Sequence, residues 1–310
     1  MNGLLLIDKP RGMTSHDVVA RVRRTIAMRA IGHAGTLDPF ATGLLILCIG
    51  QATRLSEYLI GETKAYAGTM KLGERTNTDD VEGEVVERRP VSVTSADLER
   101  VCADFTGDLM QVPPQFSAIQ VGGRRAYKMA RSGETVELVS RPVRIVTLEL
   151  AWASDAGPEF PNSLVDLRVT CSAGTYIRAL ARDMGEVLGC GAHLIALRRT
   201  HSGSFNLQDA VTLDALQQAA AAGDWQRLLL PMDRAVQHLP PVRLDAAAAQ
   251  RFVMGQAVAA AEGAPGAPCA CRVYDADGQF IAIGTIAAGG GGGAAPGAVV
   301  KPLKVFHSRE

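Results

Sequence analysis

The stretch Gly32-His33-Ala34-Gly35-Thr36-Leu37-Asp38-Pro39-Phe40-Ala41-Thr42-Gly43 constrains this chain more than any other. Three glycines and a proline among these residues exclude a regular helix and supply the backbone angles of a shaped loop. Pro39 biases Asp38 toward an extended conformation, so its carboxylate is expected on non-helical backbone. Leu44-Leu45-Ile46-Leu47-Cys48-Ile49 follows at once and reads as a buried central strand. A carboxylate on a loop braced by such a strand is how a rigid scaffold presents a reactive group. The plainer reading is an Asx-type turn in which Asp38 only bonds its own backbone.

The chain has 310 residues, enough for a sizeable core and two domains. Its 32 basic and 32 acidic residues cancel, so overall charge draws no polyanion to it. Any nucleic-acid site must come from local clusters of Arg and Lys. The six cysteines form no pair of Cys-x-x-Cys knuckles and read as idle thiols of a reducing compartment. The apolar run Leu4 to Ile7 is too short for a signal peptide or membrane span. A cytoplasmic protein with no membrane attachment is expected.

In chain order, Leu4 to Ile7 is a short buried strand, and Thr14 or Ser15 caps a helix carrying Val18, Val19, Val22 and Ile26. Lys64 to Gly73 alternates as a strand that points Tyr66 inward, where most tyrosines are packing residues. Glu74 to Glu84 reads as an acidic loop or hairpin connection, and Thr94 or Ser95 caps a helix that ends at Gly107. Residues 117–144 read as a mobile basic surface element. Arg124, Arg125, Lys128, Arg131, Arg141 and Arg144 place six cations within it, a phosphate-tracking surface or simply a solvated one. Val143 to Trp152 and Leu164 to Cys171 read as strands, and Ser172 opens a helix stopped by Gly189. His193 to Phe205 reads as one further strand, with Arg198 and Arg199 at its centre. After a linker at about residues 230–241, an Ala-rich helix and three strands form a small β-rich unit.

Several separate motifs resemble the TruB family, the bacterial tRNA pseudouridine-55 synthases. They are Gly-His-Ala-Gly-Thr-Leu-Asp-Pro at residues 32–39, Leu-Ile-Asp-Lys-Pro-Arg-Gly-Met-Thr-Ser at 6–15, Lys64-Ala65-Tyr66, Pro-Pro-Gln-Phe-Ser-Ala at 113–118, and Gly174-Thr175-Tyr176-Ile177-Arg178. The resemblance implies an α+β pseudouridine synthase fold on a mixed, largely antiparallel sheet over residues 1–238, and a PUA-like RNA-binding domain over 242–310. It implies Asp38 as the catalytic carboxylate, Arg178 as its partner, Tyr66 and Tyr176 as pocket residues against the base, and His33 as the side chain that takes the flipped base's place. Lys9 and Pro10 would support the loop, and the basic segment would clasp RNA. Gln120 stands where many members have Lys, so no role is placed on it.

The implied substrate is uridine 55 in the T-loop of tRNA. Its conversion breaks the bond from N1 to C1′, rotates the uracil and joins C5 to C1′. No atoms are lost and no redox change occurs, so no cofactor and no metal are expected, and neither is a protein partner for a monomer. The carboxylate acts as nucleophile or as base at the sugar. Burial alone would raise its pKa and neutralise it, whereas a paired guanidinium reverses that. A non-catalytic tRNA-binding or folding chaperone is the alternative, and a carboxylate glycosidase on small sugars a third reading.

Overall fold

The structure, a computed structural model, describes residues 1–117, 119–125, 129, 132, 137–154, 163–259, 268–287 and 299–306. The larger unit runs β1 (Gly3–Lys9), α1 (Ser15–Thr25), β2 (Ile31–Ala34), β3 (Thr42–Ile49), α2 (Ser56–Ile60), β4 (Lys64–Leu72), β5 (Glu74–Thr76), β6 (Val85–Arg88), α3 (Ser95–Asp104) and β7 (Gly107–Gln111). It continues through β8 (Gln120–Val121), β9 (Arg124–Arg125), β10 (Arg141–Trp152), β11 (Leu164–Cys171), α4 (Ile177–Val187), β12 (Ala192–Ser202), β13 (Phe205–Asn206) and α5 (Leu213–Ala221). The smaller unit comprises β14 (Pro241–Arg243), α6 (Ala246–Val253), β15 (Val258–Ala259), β16 (Cys269–Tyr274), β17 (Phe280–Ala287) and β18 (Val299–Val305). Among the described residues no helix is long and apolar enough to cross a membrane.

The main sheet follows the order β1-β3-β12-β4-β11-β10-β7, with β2 added to β3 and β13 to β12. Its pairs are antiparallel except β3 with β12, which run parallel. Period-two alternation divides β1 cleanly. Leu5 and Ile7 enter a core roofed by α1, α3, α4 and α5, whereas Leu4 and Leu6 face a second core beneath the sheet. Gly43 permits the parallel junction. It holds φ +99°, and a Cβ there would lie 2.3 Å from the Arg199 carbonyl oxygen, so only glycine lets the two strands meet. Helices α1 and α3 each open with a Thr–Asp capping box, Thr14 with Asp17 and Thr94 with Asp97.

Three readings from the sequence change here. The stretch from Gly32 begins as strand, because Ile31–Ala34 pairs with Ala34 opposite Ile46. The strand expected from His193 to Phe205 is a hairpin, β12 turning into β13. Arg141 and Arg144 lie on strand β10 rather than on a basic loop. Val143 and Ile145, on either side of Arg144, are buried and draw the segment into the sheet, where Arg144 opposes and pairs with Asp108 on β7.

The smaller sheet has the order β14-β16-β17-β18-β15. It has apolar packing of its own around Phe252, but Ile283 and Phe306 belong to the second core with Leu4, Leu44 and Leu55. Arg54 also donates to the Val305 carbonyl at 2.6 Å, and the Tyr274 hydroxyl donates to Asp233 at 2.8 Å. The two units therefore share a core. Truncation after residue 238 is expected to destabilise the remainder by about 3–6 kcal/mol, the burial of two large apolar side chains. Thermal unfolding of the fragment checks this, and a melt matching the full chain would contradict it.

Candidate active site

Residues 35–41 leave β2, cross the end of the sheet and re-enter it as β3. Every side of this turn is held. The Ser15 hydroxyl on α1 accepts from Leu37 N at 2.9 Å, and Gly12 N donates to the Pro39 carbonyl at 2.8 Å. Lys9, fully buried, donates to the carbonyls of Pro10, Met13 and Pro39 at 2.9, 2.6 and 3.2 Å. All three of its N–H groups are thus used on backbone. Arg199, also buried, donates through Nη2 to the Gly35 carbonyl at 3.1 Å and through Nε to Leu44 at 2.7 Å. The turn is a built cradle for Asp38, not a free Asx turn.

Arg178 reaches Asp38 from the first turn of α4. Its Nη2 donates to Oδ1 at 3.1 Å, and its Nε lies 3.0 Å from Oδ2. Only the first contact has hydrogen-bond alignment, since Nε makes no aligned bond. The same guanidinium donates to the carbonyls of Thr78 at 2.9 Å and Phe116 at 3.0 Å, and Nη1 lies 3.2 Å from Asp80 Oδ2. Asp80 is itself fixed by the Thr78 hydroxyl at 2.7 Å and by Glu82 N at 3.0 Å. One turn further along α4, Arg182 pairs with Asp79 at 3.1 Å. Spacing of four residues puts both arginines on one helix face, where they clamp two consecutive carboxylates of the β5–β6 hairpin.

One guanidinium thus serves two carboxylates. Burial raises the pKa of Asp38, Arg178 opposes that, Asp80 adds to it, and the net direction is upward. The sequence-based expectation that the arginine reverses the effect of burial is corrected on this point, because burial outweighs the arginine and Asp80 adds to it. The sign for activity follows: Asp38 is ionised above its raised pKa and neutral below it. The acid limb of kcat/KM is expected above the ordinary aspartate value of 3.8. Asp80→Asn removes a negative neighbour, so the limb should move to lower pH. A pH–rate series on both proteins checks this; an unmoved limb would detach Asp80 from Asp38.

Two cavities adjoin this network. One of about 620 Å³ opens between α1 and the β5–β6 hairpin, lined by His16, Asp38, Asp80, Glu82 and Arg178. The other, about 300 Å³, lies on the opposite side of Asp38, against Lys64, Tyr66, Tyr176, Leu197 and Arg199. Tyr66 is buried on β4, and burial pushes its phenol pKa up, so it stays protonated. Tyr176 caps α4, its backbone bracketed by Gln111 at 2.8 and 3.1 Å. The Arg141 guanidinium stacks 4.6 Å from the Tyr176 ring centre and donates to the Gly174 carbonyl at 2.6 Å. A larger groove of about 910 Å³ on the smaller unit, beside Met254, Asp275 and Asp277, has no comparable constellation.

Asp38, Tyr66, Tyr176 and Arg178 therefore line one cavity. His33 does not line either cavity at Asp38. It sits half-buried on β2, edge-on to His16 with ring centres 5.2 Å apart, and its buried Nδ1 has no hydrogen-bond partner among the described residues. Burial and the neighbouring His16 and Arg199 lower its pKa, holding it neutral. Arg124 lies exposed on β9, and the Arg125 backbone is beside it. The Arg125 side chain, Lys128 and Arg131 lie outside the described residues. Sequence reading missed Asp80, Arg199, Lys64 and His16. Asp80 was legible only as an acidic loop, and Arg199 only as half of an Arg-Arg pair. Among the described residues no group of three metal-ligating side chains comes together.

Family models match along most of the chain. Residues 23–177 match the TruB family pseudouridylate synthase N-terminal domain, 178–237 the tRNA pseudouridylate synthase B C-terminal domain, and 240–300 the pseudouridine synthase II TruB C-terminal model. The chain is 45% identical over 307 residues to a tRNA pseudouridine synthase B of Ralstonia pickettii (strain 12J), covering 99% of this chain and 95% of that protein. It is 44% identical over 295 residues to one of Stutzerimonas stutzeri (strain A1501), covering 94% and 93%. A chain in the crystal structure of a Cbf5-Nop10-Gar1 complex superposes with TM-score 0.71 at 28% identity, over 99% of this chain and 85% of that one. A chain of an H/ACA RNP bound to a substrate RNA containing 2'-deoxyuridine gives TM-score 0.71 at 26% identity, over 99% and 86%. With a family model matching half of its length and relatives matching nearly all of it, the chain belongs to the TruB family of pseudouridylate synthases.

Proposed function

We propose that this chain isomerises a uridine of tRNA to pseudouridine, at position 55 in the T-loop. The observation that carries the reading is the Asp38 carboxylate, held by Arg178 at 3.0 and 3.1 Å on the wall of a cavity it shares with two tyrosines. A flipped uridine presents its sugar to Asp38 while Tyr66 and Tyr176 take the base between aromatic surfaces. Asp38 engages C1′ as nucleophile or takes the C2′ proton, and its chemistry needs no metal or organic cofactor. Neutral His33, beside His16, fills the gap the flipped base leaves in the loop. Arg124, Arg125, Lys128 and Arg131 follow the RNA backbone, with Arg141 at the cavity mouth; the smaller β-rich unit acts as a PUA-like module on the tRNA. The protein works as a monomer in the cytoplasm, where tRNA is.

The chaperone alternative has no use for a buried arginine divided between two carboxylates. The test uses unmodified tRNA carrying tritium at uracil C5, the position whose hydrogen is lost when C5 joins C1′. Release of one tritium per tRNA supports the reading, and binding without release would turn it toward the chaperone.

A further inference from the structure

Charge is unevenly compensated around the smaller cavity. Arg178 on one wall meets two carboxylates, whereas Lys64 and Arg199 on another are both buried and line the same 300 Å³ space. Among the described residues no carboxylate lies within ion-pair distance of either. The two cations are close neighbours: a Cβ on Gly35 would stand 3.5 Å from Arg199 Nη1 and 3.7 Å from Lys64 Cε. Lys64 donates to the carbonyls of Ile60 at 2.9 Å and Glu62 at 2.7 Å, which uses two of its three N–H groups. Buried positive charge without a counter-charge is costly, and it is retained where an anion arrives or forms.

We propose that Lys64, backed by Arg199, stabilises the negative charge that develops on the uracil when its glycosidic bond breaks. The inference rests on this cavity being the uridine pocket. When the N1–C1′ bond breaks, its electron pair stays with N1, and the charge spreads to O2 and O4. C1′ is left electron-poor and is met by Asp38, which bonds to it or removes the C2′ proton. In the second half, C5 bonds to C1′ with an electron pair of the ring, and the Asp38 bond or the C2′ proton is returned. C5 then loses its proton and N1 gains one, so the product is a neutral isomer. A flipped nucleotide enters base first, and the deepest cations therefore meet uracil rather than phosphate.

Burial and Arg199 lower the Lys64 pKa to about 8, with Cys171 and Glu62 opposing them. Tyr66, Tyr176, Asp38, Arg178 and Arg141 are the other charged or titratable groups lining the cavity. Lys9 is also lowered to about 8, by burial, so an alkaline limb by itself names neither lysine. The experiment measures RNA affinity at several salt concentrations, and single-turnover rate against pH at saturating enzyme, for wild type, Lys64→Gln and Lys64→Arg. Lys64→Gln is expected to bind unmodified tRNA with unchanged affinity and salt slope and to react about a hundredfold more slowly. Lys64→Arg should recover most of the rate and lose the fall near pH 8 expected of wild type. Weaker binding with a salt slope reduced by about one unit and an unchanged rate would mean a phosphate site, and would overturn the proposal. So would an alkaline limb that persists unchanged in Lys64→Arg, since Lys64 would then not be the group that titrates. If Lys64→Gln does not fold, the comparison of wild type with Lys64→Arg still decides. Wild-type protein that converts no uridine in tRNA would refute the proposed function instead.

Discussion

Replacing Asp38 by Asn is expected to abolish isomerisation while leaving tRNA affinity within about threefold of wild type. The amide keeps the size of the carboxylate and its place on the 35–41 turn, which is held by Ser15, Lys9 and Arg199 through backbone rather than through the Asp38 side chain. What disappears is the charge and the nucleophilic or basic oxygen. Removing a group of that kind from other covalent and acid–base sites costs on the order of ten-thousandfold or more in rate. Single-turnover kinetics at saturating enzyme separate the two effects. A variant that turns over within tenfold of wild type would remove Asp38 from the chemistry.

Arg178→Lys is expected to lower the single-turnover rate by about a hundredfold or more. Arginine spans five contacts here: two to Asp38, one to Asp80, and two to the carbonyls of Thr78 and Phe116. An ammonium has three N–H groups and no planar fork, so it cannot join both carboxylates and both carbonyls. The shortfall leaves Asp38 or Asp80 buried without its partner, and a displacement of about 1 Å in the reacting group is itself worth around a hundredfold. The acid limb should also rise, because a single ammonium divided between Asp38 and Asp80 holds its charge less closely against Asp38 than the guanidinium does. A neutral Arg178→Lys substitution, in rate and in pH profile, would dissolve the three-residue network.

The parts of this architecture that were legible in the sequence are those written locally. Period-two alternation located β4 and β11, and capping residues, Thr14 or Ser15 and Thr94 or Ser95, located the starts of α1 and α3. The Gly- and Pro-rich turn around Asp38 was legible for the same reason. Strand β7 was not, because it is a short edge strand with Met110 exposed and little apolar pattern to show. The role of Arg178 came from resemblance alone, since nothing near position 178 names position 38. Asp80 and Arg199 stayed hidden for a related reason. Asp80 reads as one more acid in a polar hairpin until α4 brings Arg178 and Arg182 over it. Arg198 and Arg199 look alike in sequence, yet alternation sends one toward Asp8 at 2.7 Å and buries the other under the Asp38 turn. Function in this chain depends on side chains that meet only after the sheet has closed.

The most direct measurement is a map of pseudouridine in an unmodified tRNA after incubation with wild-type protein and with Asp38→Asn. The account predicts one new pseudouridine, at position 55 of the T-loop, with wild type and none with the variant, although both bind the tRNA. Pseudouridine formed by Asp38→Asn, or a wild-type protein that binds the tRNA and leaves every uridine unchanged, would contradict it.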